Sequence, residues 1–187
     1  MEIFARRGYL DTTVEDITEA ADVGKGTFFN YFPTKEHVLA TYGDERVAAI
    51  ERSLQNVRTA KQSVRAALKE LATDLAGQSA ESPDLLRSIF AAHLSCATVR
   101  AELQNRLQRA RRLLGEIVAI GQKRGEIRRD RSPADLARLT QLIFMGVTIA
   151  WSLNPDSVLR KSAEEVWELF FPSLFADTKG KRKVTRN

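Results

Sequence analysis

An all-α fold is what this sequence predicts: an N-terminal three-helix head built on a helix-turn-helix, with a larger multi-helix domain behind it. Three observations predict it. The segment Thr12–Glu36 reads as helix, tight turn, second short helix, stop and third helix. Beyond Pro33 the apolar residues recur at helical spacing, and no alternating run bounded by hairpin turns appears. The expected helices are punctuated by glycines, prolines and capping residues.

In the head, Gly8 ends a short first helix, with Tyr9 as the apolar residue that follows a glycine C-cap. Thr12 and Glu15 stand three apart, the spacing of a capping box, and open the second helix. Ile17, Ala20 and Ala21 give that helix one small apolar face. Asp22-Val23-Gly24 is the turn. Asp22 falls where a left-handed residue is expected, and Val23 plugs the angle between the two helices. Phe28 and Phe32 lie four apart and face the three-helix core. Pro33 forbids extension through Phe32, and Thr34 caps the next helix.

That next helix is expected to run unbroken from Lys35 to about Leu54, with a break near Val57–Gln62 and a further helix to Ala76. Gly77 to Pro83 reads as a loop, and Asp84 to about Ser95 as a short apolar helix. Thr98–Arg124 is a long amphipathic helix with Leu103, Leu107, Ala110, Leu114, Ile117 and Gly121 on one stripe, ended by Gly125. Ser132-Pro133-Ala134-Asp135 starts a helix that reaches Leu153 before Asn154-Pro155. The last helix covers about Leu159–Leu169, and Pro172 kinks or ends its continuation. The expected units are 1–46 for the head, 47–177 for the helical domain, and a basic, disordered tail over 178–187.

A chain of 187 residues with 43% hydrophobic content is long enough to bury a real core. Its one cysteine, Cys96, excludes an intrachain disulfide and fits a reducing compartment. The sequence shows no basic-then-apolar leader. The most apolar run, Leu142–Leu153, suits a buried helix better than a membrane span, so a soluble, cytoplasmic protein is expected. The net charge of +5 suggests a polyanionic partner. Its distribution weakens that argument. Residues 1–53 hold only Arg6, Arg7, Lys25, Lys35, Arg46 and Arg52 against ten acids, and the positive excess sits near 106–131 and in the tail.

On the second helix of the motif, Phe28 and Phe32 point inward. A step of about 100° per residue then turns Gly26, Asn30 and partly Phe29 outward. Lys25 at the helix start reaches a base edge or a phosphate, Gly26 allows close approach, and Asn30 pairs with a base edge, adenine being the usual partner. Thr13, Tyr31 and Lys35 read as phosphate anchors. Thr12, Gly24 and Thr27 complete the expected contact set. For Phe29, core packing and groove contact are both open, and for Tyr31 plain surface packing is the competing reading.

Thr12-Thr13-Val14-Glu15-Asp16-Ile17 and the run from Lys25 to Glu36 closely resemble the TetR family of bacterial repressors, over roughly residues 4–45. Beyond residue 50 the resemblance is one of architecture. It implies a homodimer that binds double-stranded operator DNA, is released by a small-molecule effector, and pairs two C-terminal helices with their symmetry mates. The unusually apolar last two helices agree with such a partner. One departure stands out. Only two turns precede Gly8, so the first helix is read as short or truncated, with less cover for Ile17 and Phe28.

An effector pocket is implied by the same resemblance. Its candidate lining is Phe90, His93, Leu94 and Phe144, with Thr148 and Trp151 as polar handles, although core or dimer packing explains each of them too. Gly24-Lys25-Gly26-Thr27 superficially resembles a phosphate loop but lacks the earlier glycine and the upstream strand. His37 and His93 have no ligand set around them, so no metal or cofactor is expected. Cys96 has no close base, and no acid–base pair or triad argues for an enzyme. The competing function is a dimeric small-molecule-binding protein whose DNA binding is impaired by the short first helix.

Overall fold

The computed structural model describes residues 1–79, 82–154 and 159–175. The described residues form α-helices and two 3-10 turns, with one isolated bridge between Ile127 and Phe175. The expected tail over 178–187 lies outside them.

The head comprises α1 (Glu2–Arg7), α2 (Val14–Ala20), α3 (Lys25–Tyr31) and α4 (Lys35–Ala40). Gly8 ends α1 at φ 80, and Asp22 takes the left-handed turn at φ 53, both as the residue types demand. The capping box is displaced by one residue from its expected place. Thr13 caps α2 by accepting from the Asp16 N–H, and the Asp16 carboxylate accepts from the Thr13 N–H. Thr12 is instead fully buried and donates to the Gly8 carbonyl at 2.6 Å. Val23 leaves two-fifths of its surface exposed and lines an open cleft with Ile17, Phe28 and Phe32 rather than plugging the helix angle.

The helix after Pro33 is not continuous. A 3-10 turn over Thr41–Gly43 separates α4 from α5 (Asp44–Arg58). A β-branched residue followed closely by a glycine is a weak place to propagate a helix. The expected unit boundary at residue 46 therefore falls inside α5. After α5, Ala60 turns at φ 55 into α6 (Val64–Ser79), which carries through Gly77 where a loop was expected.

Behind the head lie α7 (Pro83–Ser95), α8 (Ala97–Arg124), α9 (Pro133–Leu153) and α10 (Leu159–Leu169). Ser82 and Ser132 cap α7 and α9, each with proline at the first turn, and Gly125 closes α8 in the left-handed region. By length and composition α9 would be able to cross a membrane. One side of it is packed inside the protein. Gln141 is buried on it and accepts from two Arg111 nitrogens while donating to the Leu107 carbonyl.

Two apolar clusters hold these helices. One joins Ile50, Leu54 and Val57 of α5 to α6, to Leu114, Ile117 and Val118 of α8 and to Leu136 of α9. The other crosses between the head and the helical domain. It contains Phe4 of α1, Leu39 of α4, Leu85, Leu86, Ile89 and Ala92 of α7, Trp151 of α9 and Ala163 of α10. The Phe4 carbonyl also accepts from Ser88. The head is thus seated on the domain through α1 and α4.

Where α8 meets the returning chain, Gly121 is required by space. A Cβ there would lie 2.9 Å from Ile127 and 3.1 Å from Val64, and both side chains are buried. Gly121→Ala should therefore cost about 1–3 kcal/mol of stability despite alanine's better helix propensity. A urea melt checks this, and a variant as stable as the parent would show that Ile127 yields freely.

Candidate nucleic-acid interface and cavity

Phe28 is the inward anchor of α3. Its ring meets Phe29 edge-on at 5.3 Å and Phe32 at 5.7 Å. With Phe28 buried, helical geometry exposes the remaining face, and Lys25, Gly26, Thr27, Phe29, Asn30 and Tyr31 all lie open to solvent. Tyr31 is 75% exposed and Phe29 54%. Phe29 thus sits outward, with only one edge of contact to Phe28, rather than in the core. Two aromatic rings, an amide and a cation on one short helix make a surface able to meet base edges and sugar–phosphate.

Gly24 and Gly26 are informative because nothing inside the protein asks for them. Neither has a positive φ, and a Cβ at either would meet open space. A glycine inside a helix costs about 0.5–1 kcal/mol relative to alanine. Gly26 bears that cost with no packing or conformational return within this chain. A surface without a side chain at this position leaves the backbone of α3 open to close approach from outside.

The charged groups of the head are largely engaged with one another. Lys25 pairs with Glu15 across the α2–α3 angle, and Arg7 pairs with Asp16. The Lys25 bond holds the Glu15 carboxyl below its usual range, and the Thr13 cap does the same for Asp16. Thr13 is exposed, but its hydroxyl donates to Asp16. Lys35 differs most from its expected role. Its ammonium donates to the carbonyls of Thr12 at 2.7 Å, Tyr9 at 2.9 Å and Leu10 at 3.4 Å, and lies 4.7 Å from the centre of the Tyr9 ring. Next to it, Tyr9 donates to Glu36 at 2.7 Å, and burial followed by that bond raises the phenol to about 12. Lys35 therefore ties the α1–α2 corner to α4, and a phosphate would have to compete with three carbonyls for it. Thr12 has no free hydroxyl to offer. These two of the ten expected contact residues act inside the head.

The cavity lies at the other end of α4. It has a volume of about 190 Å³ between α4, α5, α7, α8 and α9. Its wall includes Leu39, Val47, Ile50, Ile89, Leu103 and Leu107, together with Phe90, His93, Phe144 and Thr148 from the expected set. Two expected residues are elsewhere. Leu94 is 74% exposed because it falls on the outer face of α7, and Trp151 is packed in the head-to-domain cluster. Sequence reading missed Arg46, Arg106 and Gln141 on the wall. The Leu103–Leu114 stripe of α8 held a usable signal, since its upper half faces the cavity and only its lower half the core.

A relay of polar groups borders the cavity. Thr34 Oγ1 lies 2.9 Å from His37 Nδ1, His37 Nε2 lies 3.9 Å from Glu102, and Glu102 lies 3.8 Å from Arg106. Arg106 in turn bonds Asp44 at 2.8 Å. The cap of α4 is thereby connected to a cavity-wall side chain. No group of three or more metal-ligating side chains occurs among the described residues.

Residues 1–42 match the family described as bacterial regulatory proteins, tetR family. Over 181 residues, covering 95% of this chain and 89% of the relative, the sequence is 25% identical to the HTH-type transcriptional repressor DhaR of Mycobacterium sp. strain GP1. The fold is similar to that of FadR from Thermus thermophilus, a TetR-family transcriptional repressor solved with lauroyl-CoA. That match has a TM-score of 0.68, 29% identity, and coverage of 100% of this chain and 94% of that one. FadR from Bacillus subtilis, solved with stearoyl-CoA, shares the fold at a TM-score of 0.73 and 21% identity, covering 92% and 94% of the two chains.

Gly26→Ala should move stability and binding in opposite directions. Removing a helical glycine raises stability by up to about 1 kcal/mol, while the added methyl obstructs the approach of DNA. A thermal melt and an anisotropy titration on the same preparation read both. Unchanged DNA affinity would take Gly26 out of the interface.

Proposed function

We propose that this chain, a ligand-responsive DNA-binding regulator of the TetR family, works as a cytoplasmic homodimeric repressor that leaves a palindromic operator when a small, largely apolar molecule enters its cavity. The observation that carries the reading is the double attachment of α4. Lys35 and Glu36 bind the α1–α2 corner of the head, while Leu39, on the same helix, is fully buried and lines the cavity. A ligand that moves the cavity wall has to move α4 or leave it strained, and α4 sets the angle of the head. The ligand need only bind the DNA-incompetent arrangement more tightly. The repressor relative over most of the chain and the relative solved with lauroyl-CoA support this reading.

The dimer reading is supported by α9. Leu139, Leu142, Gly146, Ile149 and Leu153 follow one another at helical spacing on its exposed side, and Leu169 and Phe170 are exposed near the end of α10. An apolar stripe of this kind on a soluble chain fits a second copy. Val147 turns inward to the head-to-domain cluster, so the seam runs along Leu142 and Ile149. Two heads so joined would address successive major grooves about 34–36 Å apart. The alternative of a ligand-binding dimer without DNA binding is disfavoured by the exposed amide and aromatics of α3.

The deciding experiment is a titration of the protein against DNA from upstream of its own gene, repeated over a range of salt. Saturable, salt-dependent binding to one inverted repeat is expected, and equal affinity for scrambled DNA would defeat the reading. Asn30→Ala should relax base preference at one position in each half-site, with about 1–3 kcal/mol lost there. If all operator variants weaken equally, Asn30 reads no base. Leu142→Asp should give monomer in sedimentation, because an unpaired charge at a buried seam is costly. A stable dimer from that variant would place the seam elsewhere.

A further inference from the structure

The cavity wall dictates more about its ligand than low polarity, because most of the polar side chains around it are already committed. Gln141 accepts from Arg111 and donates to the Leu107 carbonyl. The Thr148 hydroxyl donates to the Phe144 carbonyl at 2.8 Å. Arg106 is neutralised by Asp44 and Glu102, and its guanidinium packs against Gly43. Arg46 is also engaged within the protein.

His93 is the exception. The side chain is 95% buried, and Nδ1 lies 2.6 Å from the Ile89 carbonyl oxygen. A carbonyl only accepts, so Nδ1 carries the hydrogen, and Nε2 is left as a bare acceptor. No partner lies within hydrogen-bond distance of Nε2 among the described residues, and the atom is covered as well as unpartnered, so a ligand reaches it only with a small shift of the cavity wall. Burial first, and the Arg106 charge with it, hold the imidazole below its ordinary pKa despite the opposing Ile89 and Glu102 contributions, which keeps the ring neutral. A buried acceptor without a donor is costly, and a ligand that supplies one recovers that cost.

Resting on the effector reading above, we infer that the cavity selects a compact, uncharged, ring-sized molecule carrying one hydrogen-bond donor, a phenol or alcohol O–H, that donates to His93 Nε2. Charge and size both point this way. An anion would have to displace Asp44 or Glu102 from Arg106, and a cation would meet no carboxylate on the wall. A dry cavity of about 150 Å³ holds benzene, so about 190 Å³ takes a substituted ring.

The test uses the full-length, DNA-free protein and two near-isosteric probes, 4-ethylphenol and 4-ethyltoluene, which differ by hydroxyl against methyl. The Nε2 resonance of nitrogen-labelled His93 in the parent protein should shift with the phenol and stay in place with the hydrocarbon. In His93→Leu, the preference for phenol over hydrocarbon should fall about tenfold, the worth of one hydrogen bond near 1.4 kcal/mol. If that variant does not fold, the Nε2 measurement on the parent still decides. Both probes binding with Nε2 unmoved, or a preference unchanged by His93→Leu, overturns the donor rule and leaves the ligand-responsive reading intact. Failure of both probes to bind also overturns the rule. Loss of the regulatory reading itself would appear separately, as absence of operator binding in the salt titration.

Discussion

The seating of the head on the helical domain depends on how α4 is held. At its start the Lys35 ammonium gathers the carbonyls of Tyr9, Leu10 and Thr12, and Glu36 takes the Tyr9 hydroxyl. These are charge-assisted bonds in a half-buried corner, stronger than neutral ones. One turn later Leu39 is sealed into the cluster that also contains Phe4 and Trp151. The helix has only six residues, too few to be stable alone. Its existence and its angle come from these attachments, and through them the head and the cavity share one part.

That shared part explains the two-cluster core. A single continuous core would make the head and the domain one rigid body with no preferred joint. Here the Ile50–Leu136 cluster stabilises the domain without the head, while the Phe4–Trp151 cluster straddles the joint. Between them the Thr41–Gly43 turn interrupts what would otherwise be one long helix. A short 3-10 segment in that place can absorb a small backbone rotation without breaking a regular helical ladder. Two residues of α8 hold the two sides of the turn, Arg106 bonding Asp44 at the start of α5 and Glu102 lying 3.9 Å from His37 of α4. The α8 wall of the cavity is therefore tied to both helices that flank the joint.

What was legible in the sequence was what local chemistry decides. Gly8, Asp22, Ser132 with Pro133, and Gly125 each mark a boundary through a backbone preference that neighbours scarcely alter, and each boundary was found. Phe28 and Phe32 fixed the inward face of α3, and the outward face followed by rotation. The misses depend on distant partners. Lys35 looks like a free cation until the α1–α2 corner is folded over it. Thr12 and Thr13 are equivalent as capping residues until Gly8 claims the Thr12 hydroxyl. Leu94 and Trp151 sit on apolar helices near the cavity, but a rotation of one helical position decides whether a side chain enters it. The wall residues Arg106 and Gln141 carried no local sign of their place, because their burial is made possible only by Asp44, Glu102 and Arg111 on other turns and helices.

The charge of the head bears on how it would meet DNA. Few of its cations are unengaged. Lys25 is paired with Glu15, Arg7 with Asp16, and Lys35 with carbonyls. Each phosphate contact by Lys25 would exchange one ion pair for another and leave Glu15 near a polyanion. The general electrostatic attraction that gives basic proteins their affinity for any sequence is accordingly weak here. On the proposed function such a head would gain most of its binding from short-range fit, with Asn30, Phe29 and Tyr31 toward base edges and backbone and Gly26 allowing contact. Fit of that sort is small for one short helix, so useful affinity requires two heads on one rigid frame, where the second binds at high effective concentration. In that proposal the apolar stripe on α9 and the exposed face of α3 belong to the same physical argument: a sparsely charged head would need a partner, and a change in the spacing of the pair would be enough to release it.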